Sequence, residues 1–79
     1  MEEQIDFIIS NIKKHANSDK ELCPKLREGQ ALYNAAYRKL KDWNLAIFDD
    51  RSVDCFCDDL KIPKFIQSLK DEMFNILKN

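Results

Sequence analysis

The chain has 79 residues, 44% hydrophobic and 34% charged, with a formal net charge of −1 at pH 7. That length holds one domain, 1–79, with a stability of roughly 3–5 kcal/mol and little to spare for strained catalytic geometry. The charge gives no bias toward nucleic acid or an anionic membrane, and no apolar run approaches the roughly 18 residues of a membrane span.

Three cysteines are an odd number, and no basic stretch precedes an apolar one at the start of the chain. The expectation is a cytoplasmic protein with free thiols and no secretory leader. One glycine, two prolines and many Leu, Lys and Glu residues favour helices.

A first helix is expected from Glu2 to His15. Ile5, Ile8, Ile9 and Ile12 stand at i, i+3, i+4 and i+7, and acids open the helix while Lys13 and Lys14 close it. Phe7 falls off that stripe and is expected to pack at its edge. The polar run Ala16 to Glu21 reads as a connection, and Pro24 restricts Cys23 to extended backbone.

A second helix is expected from Lys25–Glu28 to about Asp42, with Leu32, Ala36, Leu40 and Trp43 in helical spacing and Tyr33 and Ala35 beside them. Gly29 falls in its first turns, at a cost of up to about 1 kcal/mol relative to alanine. Either another backbone approaches closely there or the helix starts after it.

Between residues 44 and 60 the periodicity fails, and Asp49, Asp50, Asp54, Asp58 and Asp59 crowd the segment. A connection this long is uncommon in a small domain and needs anchors, of which Ile47 and Phe56 are the candidates. A third helix is expected from Ile62 or Pro63 to about Leu77, with Ile62, Phe65, Ile66, Leu69, Met73, Phe74, Ile76 and Leu77 forming a broad apolar stripe. The fold class is therefore all-α: a small three-helix domain with a long ordered acidic loop between helices 2 and 3.

Arg27-Glu28-Gly29-Gln30, Asn34-Ala35, Asp54-Cys55-Phe56-Cys57-Asp58-Asp59 and Ile62-Pro63-Lys64-Phe65 form a pattern spanning about half the chain. In these blocks the chain resembles a family of uncharacterised small proteins, many carried by phages and other mobile elements. Cys55 stands where that family tends to have proline, and Cys57 where it tends to have tyrosine. The resemblance implies no activity.

Arg27, Gln30 and Asn34 are spaced i, i+3 and i+7 and so share a helix face. One guanidinium and two amides suit a clamp on a loop. Arg27 is expected to pair with Asp54 or Asp58 while Gln30 and Asn34 satisfy loop backbone groups. A polar binding site on the same face is the alternative.

Catalytic and metal chemistry find little support. Cys55 and Cys57 are one residue apart, Cys23 is remote and His15 is the only histidine, so zinc spacing is missing. The acidic run lacks the alternating ligands and the glycine of a calcium loop. Neighbouring aspartates disfavour a thiolate, and no phosphate-binding glycine motif is present. No cofactor, no metal and no enzymatic activity are expected.

The function expected instead is protein binding, with Trp43, Phe48 and Phe56 as anchors and Asp49, Asp50, Asp54 and Asp58 as a rim that steers a basic partner. Such a module suits an inhibitor or adaptor that a mobile element directs at a host protein. The alternative is a nucleic-acid-binding accessory role for Arg38, Lys39 and Lys41 with Tyr37 and Trp43, although a solvated helix face is the simpler account of that strip. The apolar breadth of helix 3 at Phe74, Ile76 and Leu77 adds a homodimer as a third option.

Overall fold

A computed structural model describes residues 2–78; Met1 and Asn79, the two ends of the expected domain, lie outside the described residues. Three α-helices account for most of the chain: α1, Glu2–Leu22; α2, Glu28–Leu40; and α3, Ile62–Lys78. No strand occurs among the described residues. The protein is a small all-α three-helix domain.

The helix α1 buries Ile5, Ile9, Ile12 and Ala16 and runs on to Leu22, well past the expected end at His15. Residues 16–22 are helical, not a connection. Ala16 follows Ile12 by four positions and joins the core, and Asp19 forms an ion pair with Arg38 of α2. Lys20, Glu21 and Leu22 are good helix formers, so the helix runs until Pro24 forbids it. The amide of Cys23 closes the last turn on the Asp19 carbonyl at 2.8 Å.

In α2 the buried side chains are Ala31, Leu32, Ala35, Ala36 and Leu40. Three alanines on the core side allow a close approach, and α1 packs more extensively on α2 than on α3. A 3-10 turn, Lys41–Trp43, continues the chain to Asn44, whose φ of 55° in the left-handed region ends it. Asparagine tolerates that conformation better than most residues.

The helix α3 starts at Ile62 with Pro63 in its first turn, where no amide donor is needed. Phe65, Leu69 and Met73 are fully buried, at i, i+4 and i+8. The linker, residues 44–60, contains the 3-10 turn Ala46–Asp49 and runs into another, Asp59–Lys61, that leads to α3. It packs on α2 and α3 and contributes Leu45, Ile47 and Cys55 to the core. Ile47 is the anchor the sequence predicts, whereas Cys55 is buried more deeply than Phe56.

Candidate functional site

The linker is held to the helices through polar groups that differ from the expected ones. Arg27 occupies the N-cap position of α2 and offers no acceptor for the orphan amides of the first turn. Asp59, thirty residues beyond Gly29, supplies it: its Oδ1 accepts from the Gly29 amide at 2.9 Å. The Arg27 guanidinium donates to the carbonyl of Phe56 at 2.6 Å, not to Asp54 or Asp58. The expected Arg27 ion pair is thus a bond to linker backbone, because both of those carboxylates already serve local turns.

Gly29 settles the two readings of the lone glycine. It lies inside α2, and a Cβ built on it would stand 2.1 Å from the Cys55 carbonyl oxygen and 2.7 Å from Asp59 Oδ1. The backbones meet at a distance that only glycine permits. From the other side, the Cys55 thiol donates to the Gly29 carbonyl at 3.3 Å. Gln30 and Asn34 make no hydrogen bond to the linker among the described residues, so the polar clamp is Arg27, Gly29 and Asp59. Asn34 instead lines a groove between α1 and α2 with Leu26 and Tyr37.

A second latch comes from α3. The two carboxylate oxygens of Glu72 accept from the amides of Ala46 and Ile47, each at 2.8 Å. These amides open a 3-10 turn and have no partner within it. Glu72 therefore caps that turn from a distance of 25 residues or more.

The acidic character of the linker is mostly turn chemistry. Asp50, Asp54 and Asp58 recur every four residues. Each accepts from the amide two residues on: Ser52 at 3.0 Å, Phe56 at 2.8 Å and Leu60 at 3.0 Å. These are successive Asx turns, in which a carboxylate replaces a backbone acceptor. The Ser52 hydroxyl also donates to Asp50, and these bonds hold the Asp50 carboxyl below its usual pKa. Of the expected rim, only Asp49 is exposed with no side-chain hydrogen bond among the described residues.

The expected aromatic anchors turn inward as well. Tyr33 lies at the centre of a cluster, with ring centroids 5.8 Å from Phe48, 5.8 Å from Phe56 and 5.5 Å from Phe65. The contacts with Phe48 and Phe56 are edge-to-face, and such pairs are favourable beyond the area they bury. The Tyr33 hydroxyl donates to the Phe48 carbonyl at 3.1 Å, and burial, followed by Asp54 and Asp49, raises its pKa. Phe48 and Phe56 are only half-buried, but packing on Tyr33 engages both.

Cys55 is fully buried, and burial first of all pushes its thiol up to about 12. Such a thiol is protonated and inert near neutral pH. Cys57 and Cys23 are exposed. No group of three or more metal-ligating side chains converges among the described residues. In the basic strip, Arg38 is tied to Asp19 and the Tyr37 ring stands 5.3 Å from Phe48. His15 is exposed near Ala35, Arg38 and Lys39.

Trp43 is the one expected anchor that faces an open surface. It lines a hollow of about 450 Å³ with Glu3, Gln4, Phe7, Ile8 and Leu77. The start of α1, the turn after α2 and the end of α3 meet here. Phe7 is 69% exposed, so it does not pack closely at the edge of its helix as expected. Phe7 is the site residue that sequence reasoning missed as a binding candidate, whereas Leu77 was expected only on a homodimer face. The available signal was that Phe7 breaks the isoleucine stripe.

Compared with protein families, curated proteins and solved structures, the chain matches none. No helix among the described residues is long and apolar enough to cross a membrane.

Proposed function

We propose that the chain is a non-catalytic protein-binding module whose docking surface is the hollow around Phe7, Trp43 and Leu77. The observation that carries this reading is an apolar hollow of about 450 Å³ in which a large aromatic, Phe7, is left 69% exposed. An exposed ring is informative where it adjoins other apolar side chains, here Ile8, Trp43 and Leu77, and a partner that covers this patch explains it. A central aromatic with polar residues at its margin is the usual form of an interaction hot spot.

The linker supports the same reading by what it no longer offers. Phe48 and Phe56 pack on Tyr33, and Asp50, Asp54 and Asp58 hold turns. The resemblance of the Arg27–Gln30, Asn34–Ala35, Asp54–Asp59 and Ile62–Phe65 blocks to phage-borne small proteins favours a host protein as the target, with inhibition or adaptation as the outcome.

Site-specific incorporation of a photo-cross-linking residue in place of Phe7, in native host cells, tests this. The expected result is a discrete protein adduct that disappears when the cross-linker is moved to exposed Lys64 at the start of α3. Equal labelling at both positions, or no adduct at either, refutes it.

A further inference from the structure

The first two turns of α1 form a ridge between two hollows. On one side lies the hollow already described; on the other, Glu2, Ile5, Asp6, Gln67, Lys70, Asp71 and Phe74 line a second, of about 380 Å³. Phe7 stands in the first and Phe74, 38% exposed, in the second. The ridge carries Glu2, Glu3 and Asp6, all exposed, and no basic residue. None of the three is in an ion pair among the described residues, and the opposite charges of Lys70 and Asp71, neighbours on α3, cancel in the lining of the second hollow.

We infer that the partner at this surface is a cationic amphipathic protein segment that straddles α1, seats one large apolar side chain in each hollow and sets Lys or Arg against the ridge. The inference rests on the protein-binding reading and adds the partner's chemistry. A helix is about 10 Å across, so the two anchors stand about that far apart. On a partner helix that is two turns, i and i+7, the spacing of helix-in-groove recognition. Three unpaired carboxylates favour a cationic segment over an acidic one and repel an anionic membrane surface. A second copy of this chain would bring the same acidic ridge against itself.

The test is selection from a random peptide library on the immobilised full chain, with counter-selection on the Phe7→Asp variant. Phe7 is exposed, so that variant keeps the fold, as circular dichroism will verify. The expected yield is peptides rich in Lys and Arg with two large apolar residues. They shift the emission of Trp43, the only tryptophan, and bind at least tenfold more weakly to a Glu2→Lys, Glu3→Lys, Asp6→Lys variant or when salt rises from 50 to 300 mM. Neutral or acidic winners, equal binding to the charge-reversed variant, or no enrichment overturn the inference. So does light scattering that shows a dimer in which Trp43 is covered. Neutral winners together with a Phe7 adduct in cells remove only the cationic partner; no adduct removes the binding reading itself.

Discussion

The linker and the end surface around Phe7 use their residues in opposite ways. Residues 44–60 lack periodicity and abound in aspartate, yet four of their five carboxylates and both aromatic rings are engaged with the fold. The helix ends at Phe7 and Leu77 belong to regular, amphipathic elements, yet they leave apolar surface open. Irregular sequence here marks a segment that needs many latches, and regular sequence carries the surface left for a partner. Latching costs a small domain many polar side chains, because every backbone group in a non-helical stretch still requires a partner.

The sharpest way to break this contrast is Gly29→Ala. In an ordinary helix interior that change stabilises by up to about 1 kcal/mol. Here the new methyl would meet the Cys55 carbonyl at 2.1 Å, and neither backbone can give way without unseating the linker. A loss of roughly 2–4 kcal/mol is expected, most of the stability of a chain this size, read as a collapse of the thermal midpoint. A midpoint that holds or rises would show that the linker does not press on α2.

Glu72→Ala follows. It removes the acceptor for two amides, and loss of such charge-assisted bonds is expected to destabilise by about 2 kcal/mol. Glu72→Gln keeps one acceptor oxygen and should lose less. Equal, negligible effects in urea denaturation would mean that water replaces Glu72 at no cost.

Alkaline titration tests the buried side of the linker. The Cys55 thiol is raised from 9.0 to about 12, and Tyr33 is raised above 10.0. Both groups bind their protons more tightly when folded. Their contribution is complete below pH 9 and is lost as pH climbs toward 12. Denaturant midpoints should therefore fall over that window, less steeply in Cys55→Ser. At neutral pH a thiol reagent should modify Cys23 and Cys57 rapidly and leave Cys55 intact until the chain unfolds. A flat profile or three equally reactive thiols would place Cys55 at the surface.

Arg38→Ala is the smallest expected effect, within about 1 kcal/mol, because the pair with Asp19 is largely exposed. A larger loss would move part of the latching from the linker to the end of α1.

The three helices were legible because their cores obey one period. Ile5, Ile9 and Ile12 in α1 and Phe65, Leu69 and Met73 in α3 are buried as their spacing requires, and Pro63 marks where α3 begins. The extension of α1 was not, because Asn17, Ser18 and Asp19 read as a turn, while the burial of Ala16, the ion pair of Asp19 with Arg38 and the helix formers that follow favour helix. The clamp was half legible. Arg27 does reach the linker and Gly29 does mark a close approach, but the partners are a carbonyl and Asp59. Helical spacing places Gln30 and Asn34 on a face without saying what that face meets. Glu72 gave no local signal, since its partners lie 25 and 26 residues away. The four-residue recurrence of Asp50, Asp54 and Asp58 was a readable sign of turns, obscured by counting charge. Exposure of Phe7 depends on where the ends of three elements converge, which no single helix reveals.

Native-state amide exchange across residues 44–60 tests most directly whether the linker is part of the fold. The amides of Ala46, Ile47, Phe56 and Leu60, each bound to a carboxylate, should be protected close to the level of the α2 and α3 cores. Exchange at free-peptide rates throughout the linker, with the helices still protected, would contradict it.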